Sequence, residues 1–169
     1  FLVWARDQGM VRYFGLSGNR AIYLAKVLGE IGVKIDAVLV AYQYSLIWRD
    51  ARKHLLPLAK DMGVAAVIGT PLQQGWLAVP HREWIENPPE WMDKDLRERY
   101  RNLYAIHDET GLSLAEMALR FLLQDQDFAT IIPGAASVAQ LEENVRCSSA
   151  GPLPRDLHLR LDALGKVFT

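Results

Sequence analysis

The sequence holds a single cysteine, Cys147, so it can form no internal disulfide and no multi-cysteine metal site. That usage suits a reducing compartment, and the expected location is cytoplasmic. Cys147 itself reads as a small residue on a helix end. No apolar run approaches the roughly 18 residues that a membrane span needs, so no membrane partner is expected. Charge of one sign is also lacking: 19 Lys and Arg stand against 20 Asp and Glu, a net charge of −1. Nucleic acid and anionic membrane surfaces select for a basic excess, and neither is expected here. The four histidines (His54, His81, His107 and His158) are scattered, with no i, i+4 pair around a Glu, so no metal site is expected. A phosphate loop ending in Gly-Lys-Ser/Thr is missing, as is a spaced triple glycine after a strand. Gly15-Leu16-Ser17-Gly18 approaches a nucleophile elbow, but Asn19 stands where that motif needs glycine. The chain opens on Phe-Leu-Val-Trp-Ala, without Met and without the layout of a signal peptide. It reads as the tail of a helix, and the chain is expected to be a fragment.

What is present is ordinary globular composition, with half of the 169 residues apolar and 23% charged. That length supports one good-sized core and not two large domains. Asp7-Gln8-Gly9 stops a first helix, and a strand is expected from Met10 to Ser17. Asn19 is positioned to cap a helix carrying Leu24, Val27, Leu28 and Ile31 on one face. Ala37–Tyr44 is nearly continuous in apolar residues, the pattern of a strand covered on both faces. A helix over 50–62 follows, with Pro57 either kinking it or marking its proper start. Val64–Gly69 is a third strand. The segment 76–93 then breaks the rhythm with prolines and Trp76, Trp84 and Trp91. It is too long for a simple connection, and its tryptophans either line a pocket or pack the loop down. A polar helix over 94–109 precedes a capping box, Ser113 with Glu116.

The stretch from Ala129 to Asn144 organises the rest. A β-prone run ends at Pro133-Gly134, and a helix opens with a second capping box, Ser137 with Gln140. Strand, small-residue turn and capped helix make an ordinary connection, and also the geometry that aims bare N–H groups at an anion. After Gly151-Pro-Leu-Pro154, a last helix carries Leu157, Leu161 and Leu164. Four strands alternating with helices demand a parallel α/β sheet with helical cover.

Taken in order, the blocks Val11–Ser17, Leu55–Ala59, Thr70–Gly75, Ile132–Ala135 and Glu143-Asn144 resemble the aldo-keto reductases. The variant Val40-Ala-Tyr-Gln-Tyr-Ser-Leu46 is most similar to the aldose and galactose dehydrogenase subgroup. The resemblance implies an eight-stranded (β/α)8 TIM barrel, of which residues 1–169 form a single partial domain: strands 5–8 plus a C-terminal helix. A barrel takes about 250 residues. It further implies NAD or NADP as cofactor and a small carbonyl or sugar as substrate, with 76–93 a long variable loop. Ser17 matches the residue that binds the nicotinamide carboxamide, and Gly18 separates it from Asn19, which the family usually places next. Thr70, Pro71, Leu72, Gln74 and Gly75 match the pyrophosphate loop. Gly134, Ala135, Ser137 and Gln140 match the adenosine ribose pocket, and Glu143 and Asn144 the adenine contacts. Gly69 stands where the family often stacks an aromatic residue on the nicotinamide. Members committed to NADP often place Lys and Arg at the positions of Gly134 and Gln140, which leans this chain toward NAD or dual use. The family's catalytic Tyr, Lys, Asp and His precede the segment matched here. Tyr13, Tyr42, Tyr44, Lys60 and His107 fall in other blocks and receive no catalytic role, so no catalytic residue is assigned. The implied activity is an oxidoreductase whose cofactor half is this chain. The alternative is a non-catalytic cofactor-binding or regulatory module. A half barrel would expose two strand edges, and self-association through them is expected.

Overall fold

The computed structural model describes residues 1–168. Helix α1 (Leu2–Asp7) ends where Gly9 turns the chain at a φ of 71°. The first strand, β1, covers only Gly15–Gly18, shorter than the expected 10–17. Its pairing with β2 (Ala37–Ala41) starts at Gly15, and just before it the Asp36 carboxylate accepts the Phe14 N–H at 3.0 Å. Gly15 is required at that entry, because a Cβ there would lie 2.2 Å from the Ala37 carbonyl oxygen. Residues 10–14 have no strand beside them, and Tyr13 is exposed.

Helix α2 (Ala21–Glu30) starts after Arg20, not on a capping Asn19. The Ala21 N–H donates instead to Gln43 Oε1 at 3.3 Å, so a distant amide takes over the cap. The expected stripe is partly in place, with Leu24 and Leu28 buried. β2 ends at Ala41 because Tyr42 turns into the left-handed region at a φ of 65°. The expected helix over 50–62 is two pieces, α3 (Asp50–His54) and α4 (Leu56–Asp61), with Pro57 in the first turn of the second. Proline lacks an N–H and is tolerated only there.

β3 (Ala65–Gly69) leads through a long connection to α6 (Lys94–Thr110), with a short helix α5 (Glu83–Glu86) inside it. Asp93 caps α6 by accepting the Leu96 N–H at 2.7 Å, and Gly111 closes it at a φ of 69°. α7 (Leu114–Leu123) buries Leu114, Met117, Leu119, Phe121 and Leu122. Each such side chain contributes about 1.5–3 kcal/mol. β4 (Thr130–Ile132), α8 (Val138–Ser149) and α9 (Arg155–Asp162) complete the order. Cys147 is buried and unpaired near the end of α8.

All four strands run parallel in the order β1-β2-β3-β4. The register sorts their side chains into rows. Leu16, Val38 and Ala66 share one face with Gly18, Val40, Ile68 and Ile131, and Val38, Val40, Ala66 and Ile68 are fully buried against the main core. The opposite face carries Gly15, Ala37 and Ala65, then Ser17, Leu39, Val67 and Thr130, then Ala41, Gly69 and Ile132. In that second set Gly69 alone is buried. This corrects the reading of β2 as covered on both faces: helices cover one face only. The apolar run that suggested double cover supplies a second face that this chain leaves open. No helix among the described residues is long and apolar enough to cross a membrane.

Candidate functional site

Parallel strands deliver their carboxyl ends to one rim, where Ala41, Gly69 and Ile132 stand side by side in register. A cleft of about 1010 Å³ opens over that rim. Its floor is Leu39, Ala41, Gly69 and Ile132, and its walls are the turn after β3 and the turn after β4.

The first wall is conformationally unusual. Every non-glycine residue with positive φ among the described residues belongs to this rim: Tyr42, Thr70, Gln73 and Gln74. L-residues reach that region at a cost of about 1–2 kcal/mol each, and they hold it only where contacts over-determine it. One such contact is the buried Gln73 amide, which donates from Nε2 to the Tyr42 carbonyl at 3.0 Å. The Gln73 N–H closes onto the Thr70 carbonyl at 3.0 Å, and the Gly75 N–H onto that of Leu72 at 2.9 Å. Gly75, at a φ of 98°, has open space where a side chain would stand. Gln73 thus braces the exit of β2 against the exit of β3. Sequence matching passed over it, because its contribution lies in a tertiary contact and a backbone angle.

The second wall is the start of α8. Ser137 caps it, accepting the Gln140 N–H at 3.2 Å, and the Gln140 side chain reaches back to the Ala136 N–H at 2.7 Å. The Asn144 amide donates to the Gly134 carbonyl at 3.3 Å, which ties the turn down. No hydrogen bond among the described residues engages the N–H groups of Gly134, Ala135 or Ser137. With the positive end of a 12-residue helix dipole behind them, these groups suit an anion.

Of the matched residues, Thr70, Leu72, Gln74, Gly75, Gly134, Ala135, Gln140, Glu143 and Asn144 line the cleft together. Pro71 is buried beneath it, and Ser137 serves as the cap. Ser17 and Asn19 do not line it; they are exposed at the edge strand, with Ser17 beside Leu39 in register. Glu143 is the only ionisable side chain in the lining, and no Lys, Arg, His or Tyr joins it. The three tryptophans pack on one another: Trp76 stacks on Trp91 with centroids 4.5 Å apart, and Trp84 meets both edge-on. Their loop meets the cleft through Ala78 and Val79.

A second polar cluster lies among the helices. The Tyr44 hydroxyl donates to Asp125, and burial together with that carboxylate pushes its pKa up. Arg49, buried with its guanidinium 4.4 Å over the Phe121 ring, has its pKa pushed down to about 10, chiefly by desolvation. Neither residue touches the cleft. Among the described residues no group of three or more His, Cys, Asp or Glu is placed to hold a metal ion.

The model of the Aldo/keto reductase family matches residues 1–166. The chain belongs to that family. Among curated relatives, this aldo-keto reductase chain is 31% identical over 145 residues to pyridoxal 4-dehydrogenase of Microbacterium luteolum, covering 83% of this chain and 40% of that protein. It is 25% identical over 142 residues to L-galactose dehydrogenase of Arabidopsis thaliana (83% and 43%). It is 30% identical over 164 residues to L-glyceraldehyde 3-phosphate reductase of Escherichia coli O157:H7 (86% and 46%). Among solved structures, the holo form of an aldo-keto reductase from Bacillus halodurans superposes with a TM-score of 0.73 at 24% identity. That match covers 98% of this chain and 55% of the other, a likeness of fold. The chain spans less than half the length of these curated relatives.

Proposed function

We propose that this chain is the cofactor-binding half of an NAD(P)-dependent oxidoreductase that interconverts a carbonyl and an alcohol. The substrate class is a small aldehyde or sugar, as the names of the relatives suggest. On this reading β1–β4 are strands 5–8 of an eight-stranded barrel. The open, apolar second face of the sheet supports it, as does the fraction of each relative that the chain covers. The observation that carries the proposal is the convergence of the turns after β3 and β4 on one cleft at the carboxyl ends of the strands. Barrels bind phosphate in the loops after their last two strands.

The residues present fit a dinucleotide. Gln74 and Gly75 would hold the pyrophosphate from one wall. Gly134, Ala135, Ser137 and Gln140 would hold the adenosine ribose from the other, and Glu143 and Asn144 the adenine. Ser17 and Asn19 sit at the far edge, where the nicotinamide amide would end. The bound nicotinamide supplies the hydride chemistry, and the protein's part is to bind and orient it. Because no cation lines the cleft, a 2′-phosphate gains nothing from side-chain charge here, which favours NAD or dual use. The lining also holds no Tyr, His or Lys, so the proton donor comes from outside these residues. The same observation favours the second reading, a cofactor-binding module without turnover.

One experiment separates them. The chain is titrated with NADH and NADPH and then assayed for nicotinamide-dependent turnover on aldehyde and aldose panels, alone and within a full-length barrel. Binding by the chain, with turnover only in the full barrel, is the expected result. Turnover by neither, with binding intact, supports the module. Absence of binding overturns both. The open edges of β1 and β4 make self-association the expected state of the isolated chain, and a clean monomer in sedimentation would contradict it.

A further inference from the structure

Glu143 does not hang free in the cleft. It projects from α8 toward the start of α7, where the Ser113 hydroxyl donates to its Oε1 at 2.6 Å. The same Ser113 oxygen accepts the Glu116 N–H at 3.0 Å, capping α7. One hydroxyl therefore serves two helices, its lone pair ending one and its proton gripping the carboxylate of the other. The expected reciprocal box with Glu116 does not form, because the Glu116 carboxylate turns to Arg120 at 2.7 Å. Ser113 is thus left to spend its donor on Glu143. The remaining cation nearby, Arg146, stands 3.9 Å from that same Oε1. Oε2 carries no hydrogen bond among the described residues and remains free to accept one.

We propose that Ser113 is a positioning residue for base recognition, fixing Glu143 so that its second oxygen accepts an N–H from the purine's 6-position. The inference rests on the dinucleotide reading of the cleft and adds selectivity to it: an amino group at that position is favoured and a carbonyl oxygen is rejected. A carboxylate facing a 6-oxo group meets an acceptor with an acceptor, and its second lone pair is left unmatched. Without the Ser113 proton, Glu143 is free to rotate toward solvent, and the discrimination fades while the rest of the cleft is unchanged.

The test compares NADH with its hypoxanthine analogue, which carries oxygen in place of the 6-amino group, by equilibrium titration of the full chain. Wild type is expected to prefer NADH by about tenfold or more, the scale of one hydrogen bond to a charged group. Ser113→Asp keeps a capping oxygen for α7 but has no proton to donate. It should retain the melting temperature within a few degrees and lose most of the preference, through weaker NADH binding alone. Ser113→Thr keeps both bonds and should restore the preference. Glu143→Ala should abolish it, and adding Ser113→Asp to that variant should change nothing further. If wild type binds both dinucleotides equally, or if Ser113→Asp keeps the full preference, the inference is wrong and the cofactor reading stands. If wild type binds neither, the cofactor reading falls and this inference falls with it.

Discussion

Replacing Gln73 by Leu tests the physical basis of the cleft. Four residues of the rim hold left-handed backbone angles, at a combined cost of several kcal/mol. The Gln73 amide is 4% exposed and gives its 3.0 Å hydrogen bond to the Tyr42 carbonyl, itself only half-buried. Leucine nearly matches glutamine in volume, so the cavity contribution is small and the loss is that of the bond. A neutral hydrogen bond contributes about 0.5–1.5 kcal/mol, and leaving a carbonyl without its partner adds about 1 kcal/mol when water reaches it partly. The total is about 2 kcal/mol. For a domain of this size that lowers the melting temperature by about 4–8 °C. Gln73→Glu keeps the shape but sets a buried carboxylate against the Tyr42 carbonyl, acceptor against acceptor, so it should cost more than Gln73→Leu at pH 8. Thermal melts followed by circular dichroism, paired with NADH titrations, give the readout. Both variants should also weaken NADH binding several-fold, because releasing Tyr42 lets the turn after β3 relax. If Gln73→Leu melts within 1 °C of wild type, the brace does not hold the rim and the account of its strain is wrong.

Two further perturbations have defined outcomes. Gln140→Arg places a cation where a ribose 2′-phosphate would lie, and charge-assisted hydrogen bonds of about 1.5–3 kcal/mol predict at least a tenfold gain in NADPH affinity relative to NADH; an unchanged ratio of dissociation constants would contradict the ribose assignment. Asp95 is held down to a pKa of about 2 by hydrogen bonds from Arg99 and Lys166. A carboxylate with a depressed folded pKa adds stability above its unfolded value near 4 and loses it as pH falls toward 2. Asp95 is half exposed, so the effect is under about 1 kcal/mol, and Asp95→Asn should flatten the decline in melting temperature across that window. A decline as steep as wild type's would refute this.

Local chemistry was the legible part of this sequence. Gly9 stops a helix where a left-handed turn is needed, Pro57 opens α4, and Ser113 and Ser137 cap α7 and α8, because each signal involves only a few neighbouring residues. Interactions across the fold were not legible. The ends of β1 depend on where Asp36 and Ala37 meet it, and the cap of α2 comes from Gln43. The apolar character of β2 was read correctly, yet no local pattern tells a face covered by this chain's helices from one it leaves open. At the cleft, the resemblance to the aldo-keto reductases pointed to half of the lining residues. The brace by Gln73 and the bond from Ser113 to Glu143 were not legible, because they appear only when β2 is brought to β3 and α7 to α8.

The measurement that bears most directly on the central claim is a map of backbone amide chemical shifts during titration with NADH. The account predicts saturable shifts concentrated at Gln74, Gly75, Gly134, Ala135 and Ser137, with the amides around Tyr44 and Arg49 unmoved. No saturable shift at the turns after β3 and β4, or shifts centred on the Tyr44–Asp125 cluster, would contradict it.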